Sequence, residues 1–163
     1  MLRLLFNPDS QTQNNVTSLI RKHHFNQKVI GIHIRSGGLL ANYRESAYWI
    51  TYDELPSLIS FINNTIVQNH LPHKIYLTSD SDIITRYIKS HLKQYLYITG
   101  NPYQRYHTTV GNSESFKAAL FDSLALSQAH TLIYTKGSSF SKEIVTLSKA
   151  KSKYKLPYKR RRM

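Results

Sequence analysis

Short apolar runs alternate along the chain with segments whose apolar residues recur every three to four positions. The four runs are residues 28–35, 74–78, 95–99 and 131–135. Each is rich in β-branched or aromatic residues, which is typical of strands, and the segments between them have the spacing of amphipathic helices. A further amphipathic segment, over about residues 12–24, precedes the first run. The pattern predicts strands and helices in alternation.

Polar residues mark where the later helices begin. The sequence SDSD at residues 79–82 offers caps for the helix after the second run. Residues 100–113 have turn residues and no period, so they are predicted to form a loop. The next helix is expected to begin at Ser115 and to turn Phe116, Leu120 and Leu124 inward.

The connections between the runs are longer than a dozen residues, which favours right-handed crossovers between parallel strands. The predicted fold class is therefore α/β, a three-layer Rossmann-like parallel sheet. Ligands bind such sheets beyond the carboxyl ends of the strands. We expect one domain over residues 1–150, followed by a basic, flexible tail over residues 151–163.

Composition and charge narrow the classes of protein. The 163 residues suit one domain, and the absence of cysteine excludes disulfides and thiolate metal sites. No apolar run is long enough for a membrane span. The net charge is +13, but eight of the 22 lysines and arginines lie in residues 149–163. Such a tail is typical either of a nucleic-acid-binding or other interaction module or of a solubilising terminus.

Two strand ends carry groups suited to a phosphorylated ligand. Arg35 ends the first run and precedes the glycines at 37–38, which fits an anion clamp but also a surface arginine before a turn. Ser138, Ser139 and Phe140 begin the last helix, where hydroxyls and free N–H groups bind phosphate. Ser138 could equally be a plain N-cap. Together the two groups would hold a diphosphate from two sides.

Three further residues are candidates for ligand contacts. Asp80 and Asp122 could accept hydrogen bonds from a ribose or a guanine edge, or could be a helix cap and a solvated helix residue. His33 points away from its apolar neighbours and could be a structural histidine. No metal site is expected, because the zinc-type motif HExxH is absent. The nucleotide motifs GxGxxG and GxxxxGK[ST] and the GxSxG elbow are absent as well.

Three segments occur in a recognisable order after an LF-N-P start. They are VIGIHIRSGG, IYLTSDSD and SFKAALFDSLALSQAHTLIYTKGSSFSKEI. Over residues 28–148 the chain resembles the donor-site motifs of the GDP-fucosyltransferase superfamily, which contains the protein O-fucosyltransferases and the α1,6-fucosyltransferases. The resemblance implies the C-terminal, GDP-fucose-binding half of a GT-B enzyme, and hence a glycosyltransferase that is inverting, independent of metal and without a cofactor other than its donor.

The resemblance also implies roles for the candidate residues. Arg35 would be the catalytic residue that neutralises the departing β-phosphate. The others would bind the donor: His33 and Asp122 at the guanine and nearby nucleoside, Asp80 beside the nucleoside, and Ser138, Ser139 and Phe140 at the diphosphate. The α1,6 enzymes carry a second arginine directly after the first, and here that position is Ser36.

The resemblance covers one half of such an enzyme. The acceptor-binding N-terminal half, and any general base it contributes, would be a missing partner, so we expect a fragment or truncated product whose acceptor, glycan or protein, is unspecified. Localisation would be the secretory pathway for a eukaryotic enzyme and the cytoplasm otherwise. An inactive GDP-binding pseudo-enzyme is a further alternative. Under the transferase hypothesis, deleting residues 150–163 leaves GDP binding nearly intact.

Overall fold

The computed structural model describes residues 8–38, 40, 46–103 and 113–162. Within these ranges a sheet of five parallel strands forms the centre of the molecule, in the order β4-β3-β1-β5-β6. The strands are β1 (Val29–Ile34), β3 (Lys74–Ser79), β4 (Leu96–Tyr97), β5 (Thr131–Thr135) and β6 (Ser152–Leu156). A separate antiparallel pair joins β2 (Ala47–Tyr48) to β7 (Arg161–Arg162).

Helices cover both faces of the sheet. They are α1 (Ser10–His23), the short α2 (Phe25–Lys28), a 3₁₀ turn (Tyr52–Glu54) that leads into α3 (Leu55–Gln68), α4 (Asp82–His91), α5 (Ser113–Ser127) and α6 (Ser139–Leu147). One apolar cluster joins α3 and α4 to the sheet, and a second joins α1, α5 and α6 to its other face. The predicted three-layer, Rossmann-like fold is confirmed.

The central strand β1 has all six residues buried. Its isoleucines at 30, 32 and 34 enter the cluster under α3 and α4, while Val29 enters the opposite one. Each fully buried side chain of this size contributes about 1.5–3 kcal/mol of transfer free energy. The chain leaves β1 for β3 on one side and later returns to β5 on the other, so β1 and β5 flank the point where a parallel sheet opens a cleft.

Capping residues fix where the helices begin. In the SDSD segment the cap of α4 is Ser81, whose side chain accepts a hydrogen bond from the N–H of Ile84. Thr51 and Glu54 form a reciprocal capping box at the start of the 3₁₀ turn. Because Ser81 caps α4, the carboxylate of Asp80 is not used as the cap.

Helix α5 differs from the predicted one-sided pattern. Leu120 is buried as expected and Leu124 is partly buried, but Phe116 is 54% exposed. The helix packs against α1, α6 and β1, so more than one of its faces is buried. Small and polar residues occupy much of that buried surface, which leaves no single apolar stripe to read from the sequence.

The structure corrects the prediction of a flexible tail over residues 151–163. Residues 152–156 form β6, which pairs in parallel with β5, and Leu156 and Tyr158 are buried in the core. Lysines 153 and 155 are exposed and alternate with residues that face the protein, so a period of two lies hidden in what looks like a charge run. The sheet therefore continues beyond the boundary expected at residue 150. Deleting residues 150–163 would remove a strand of the sheet and two core side chains, so the expectation that this deletion leaves binding nearly intact is corrected as well.

Some predictions fall outside the described residues. These are residues 104–112, most of the predicted loop at 100–113, and the start of the chain up to residue 7. In the described part of the chain, no helix has the length and apolar character needed to cross a bilayer.

Candidate functional site

Arg35 lies where the central strand ends. Its backbone N–H donates a hydrogen bond to Thr135 Oγ1 at 3.0 Å, which ties the end of β1 to the end of β5. Its Nε lies 3.4 Å from Asp80 Oδ2, and its Cζ lies 5.9 Å from the centre of the Trp49 ring. The side chain is 22% exposed, so the guanidinium is fixed by the protein yet accessible to a ligand.

Asp80 organises the loop that follows Arg35. Its carboxylate accepts hydrogen bonds from the Ser36 N–H at 2.7 Å, the Ser36 hydroxyl at 2.9 Å and the Gly37 N–H at 3.0 Å. Gly37 has φ +76°, and a Cβ there would lie 2.4 Å from the Ala47 carbonyl oxygen. The sharp turn thus needs glycine and a carboxylate that binds successive N–H groups. Asp80 holds the turn in place and so positions Arg35.

His33 connects three elements next to this turn. Its ring is buried, and Nδ1 lies 3.0 Å from Thr78 Oγ1 on β3. Its ring centre lies 4.8 Å from that of Phe140, in the first turn of α6. As predicted, His33 projects from the face of β1 opposite to Ile32 and Ile34. The contact also shows that the start of α6 lies beside the end of β1.

The start of α6 offers N–H groups at the same edge of the sheet. Ser138 is the N-cap, and its Oγ accepts from the Ser141 N–H at 3.5 Å, so the capping interpretation is confirmed. Ser139, the first helical residue, is exposed. The N–H groups in the first turn of a helix have no intrahelical acceptor, and they carry the positive end of the helix dipole.

Trp49 joins the two halves of the site. Its backbone N–H donates to the Ser36 carbonyl at 2.9 Å, and its indole Nε1 donates to the Lys136 carbonyl at 3.2 Å. One residue therefore links the turn after β1 to the turn before α6. The structure brings Arg35, His33, Asp80 and the first turn of α6 to the same edge of the sheet.

Asp122 lies deeper, on helix α5. It is buried and accepts hydrogen bonds from the Tyr76 hydroxyl at 2.5 Å and the Asn101 side-chain amide at 2.9 Å. These partners place it beside the middle of β3 and the segment at residue 101 that follows β4. Neither of these two partners belongs to β1 or to α6.

A cleft of about 360 Å³ opens next to Asp122, between α4 and the segment after β4. Tyr76 and Asn101 line it, together with Thr85, Lys89 and Tyr97. Burial raises the pKa of Tyr97 to about 12, so its phenol stays protonated at neutral pH. The cleft offers aromatic walls, amide and hydroxyl groups, and one cation.

Sequence reasoning missed several residues of this site. Thr78 and Thr135 hold His33 and the backbone of Arg35, and their only signal was a hydroxyl at the end of an apolar run. Trp49 gave no signal beyond being the single tryptophan of the chain. Among the described residues, no group of three or more histidine or acidic side chains is arranged to hold a metal ion.

No protein-family model matches the sequence, and no curated protein matches it. Solved structures do match. The α-1,6-fucosyltransferase NodZ, from Bradyrhizobium and co-crystallised with GDP, has a TM-score of 0.56 at 17% identity over 85% of this chain and 42% of its own. POFUT1 in complex with GDP has a TM-score of 0.60 at 9% identity over 91% of this chain and 48% of its own. A further POFUT1 structure, in complex with GDP-fucose, gives the same TM-score and identity.

These matches concern the fold. The chain spans less than half the length of the solved structures it matches, and the matched part is their C-terminal half. The predicted structural likeness to one half of a fucosyltransferase is therefore confirmed. At 9–17% identity the likeness does not by itself carry substrate or activity.

Proposed function

We propose that this chain is the donor-binding portion of a GDP-fucose-dependent fucosyltransferase with an inverting, metal-independent mechanism. The proposal rests on one observation. Arg35, at the end of β1, and the first turn of α6 lie at the same edge of the sheet, at the point where the sheet opens. Two NodZ and two POFUT1 structures that share the fold were solved with GDP or GDP-fucose. In this proposal the rest of a GT-B enzyme supplies the acceptor site.

The chemistry needs a group that stabilises a departing diphosphate. In an inverting transfer the bond between the anomeric carbon and the β-phosphate oxygen breaks, and its electron pair stays on GDP. The acceptor oxygen forms the new bond from the opposite face, and its proton passes to a base or to solvent. Arg35 meets the growing charge on the phosphate with a guanidinium held in place beforehand, which lowers the barrier without a metal.

The first turn of α6 contributes from the other side. We assign the N–H groups of Ser139 and Phe140 and the exposed Ser139 hydroxyl to the diphosphate oxygens. The Ser138 side chain acts through the cap that keeps this turn in place. The helix dipole adds partial positive charge at the same place, so the diphosphate would be bound between Arg35 and α6.

The nucleoside would extend from the diphosphate toward α5. His33 and Asp122 are the proposed contacts, since a buried carboxylate beside a cleft can accept hydrogen bonds from a guanine edge or a ribose. For Asp80 we propose a positioning role in place of a nucleoside contact. Three hydrogen bonds from the turn and the ion pair with Arg35 already surround its carboxylate.

The alternative of a nucleic-acid-binding tail is less well supported. Much of the basic segment is part of the sheet or packs on it, and Arg161 is paired with Glu54. An inactive GDP-binding domain differs from a transferase only in the chemical step. Assays of sugar transfer or hydrolysis distinguish these two, whereas nucleotide binding is common to both.

Calorimetric titration with GDP, GDP-fucose, GDP-mannose and UDP tests the proposal. We expect the guanine nucleotides to bind and UDP to bind more weakly. Arg35→Ala should weaken GDP binding by about 10- to 100-fold, because hydrogen bonds to charged groups contribute about 1.5–3 kcal/mol. The same change should abolish transfer or hydrolysis.

Arg86→Ala is the matched control, because Arg86 is exposed on α4 and hydrogen-bonds within its own helix. It should bind GDP like the wild type. Preference for UDP, no binding at millimolar ligand, or an Arg35→Ala variant that keeps full affinity would refute the proposal.

A further inference from the structure

The C-terminal segment returns to the candidate site after β6. Strand β7 pairs with β2, in the register Tyr48↔Arg161, directly before Trp49 in the chain. Arg161 Nη2 contacts both carboxylate oxygens of Glu54, at 2.7 and 2.6 Å, and donates to the Trp49 carbonyl at 2.9 Å. The backbone next to Arg160 is therefore held on the C-terminal side.

The N-terminal side of Arg160 is held as well. Tyr158 is buried, and its hydroxyl lies 2.9 Å from Ser57 Oγ and 3.2 Å from the Glu54 carbonyl oxygen. Fixed points thus lie two residues before Arg160 and one residue after it. The position of Arg160 follows from packing and pairing, and the segment is not a loose cation-rich end.

Arg160 lies on the same indole ring as Arg35. Its Cζ is 5.9 Å from the Trp49 ring centre, the distance also found for Arg35. Twice that distance, about 12 Å, is the upper limit on the separation of the two guanidinium carbons. Cation–π contact of this kind stabilises an arginine without neutralising its charge.

Two of the described acids near Trp49 are engaged by other arginines. Asp80 pairs with Arg35, and Glu54 pairs with Arg161. Within the described ranges, Arg160 is exposed and makes no ion pair. Two guanidiniums near one ring, one of them without a carboxylate, create an excess of positive charge at the mouth of the site.

We propose that Arg160 is a second cation of the diphosphate site, supplied by the C-terminal segment and held near Arg35 by Trp49. This rests on the proposed function, since it assumes that a nucleoside diphosphate binds between Arg35 and α6. A diphosphate spreads several negative charges over two phosphorus centres, so a single guanidinium leaves part of that charge without a partner. The side chain of Arg160 is long, exposed and free to turn from the indole to a phosphate oxygen.

The test compares ligands that differ only in phosphate. Trp49 is the single tryptophan, so its fluorescence reports binding at this place. Affinities for GDP, GMP, guanosine and inorganic pyrophosphate are measured for the full chain and for Arg160→Ala. We expect GDP and pyrophosphate to bind about ten-fold more weakly to the variant than to the wild type. The affinity for GMP should fall by less, and the affinity for guanosine should stay the same.

Lys159→Ala is the matched control, because it removes an equal charge from the neighbouring exposed residue. It should retain GDP affinity within about two-fold, whereas Arg160→Lys should recover part of the loss by keeping the charge. Thermal unfolding of each variant shows whether the fold is kept.

Specific outcomes overturn the inference. Equal GDP affinity in Arg160→Ala and the wild type refutes it and leaves the proposed function intact. An equal loss for guanosine and GDP also refutes it, since that result means a structural role. If the wild type binds neither GDP nor pyrophosphate, the proposed function fails and this inference fails with it.

Discussion

Leu156→Ala tests whether the basic C-terminal segment is part of the folded core. Leu156 is 2% exposed, ends β6, and pairs with Thr135 at the end of β5. Truncating a buried leucine to alanine costs about 2–5 kcal/mol, from lost transfer free energy and the cavity that remains. Because β6 is an edge strand and its surroundings can partly collapse, we expect about 3 kcal/mol. In a chain of this length that lowers Tm by roughly 6–12 °C.

Lys155→Ala is the control, because Lys155 is the exposed neighbour of Leu156 in the same strand. Its free energy of unfolding should stay within about 0.5 kcal/mol of the wild type. Urea unfolding followed by circular dichroism measures both variants. If Leu156→Ala and Lys155→Ala are equally stable, the segment is a flexible tail and the assignment of β6 is wrong.

Two further predictions concern the turn after β1 and the anchor of the C-terminal segment. Asp80→Asn should weaken GDP binding about ten-fold, because an amide cannot match a carboxylate that accepts hydrogen bonds from both the Ser36 and Gly37 N–H groups. Asp82→Asn is the control, and calorimetry should find its GDP affinity unchanged. Burial raises the pKa of Glu54, but hydrogen bonds from Arg161 and Thr51 outweigh it and hold that pKa below the usual 4.5. The stability this carboxylate contributes is present above pH 4.5 and is lost as the pH falls through the lowered value. Trp49 fluorescence should show an acid transition that Glu54→Gln lacks, and an identical transition in both proteins would contradict the assignment.

Much of the fold could be predicted because its strands and helices have clear periods. Strand β1 is a buried run with a β-branched residue at four of its six positions. Helix α3 has an apolar stripe, and a capping box marks the start of the 3₁₀ turn that leads into it. The last strand could not be predicted in the same way. In β6 the lysines occupy the exposed positions of an edge strand. The alternation of exposed and inward-facing residues was therefore hidden in what looks like a run of positive charge.

The site was predictable only as far as strand ends define it. Arg35 ends one apolar run and Ser138 follows another, so a parallel sheet places both at the same edge. The role of Asp80 depends on which residue of SDSD caps α4, and neighbouring serines and aspartates cap helices about equally well. The position of Trp49 depends on the path of the chain between β1 and α3. That segment has no regular spacing of apolar residues from which the position of a side chain could be predicted.

Ser36 shows how this local geometry limits the chemistry of the site. The residue is fully buried, and its N–H and hydroxyl both donate to Asp80. An arginine at this position would lose the hydroxyl bond and have to bury a long charged side chain beneath the turn, at a cost of several kcal/mol. A second cation directly after Arg35 is therefore incompatible with the turn that Asp80 holds. A second cation for a diphosphate then comes from another segment, and among the described residues the C-terminal segment brings Arg160 to Trp49 beside Arg35.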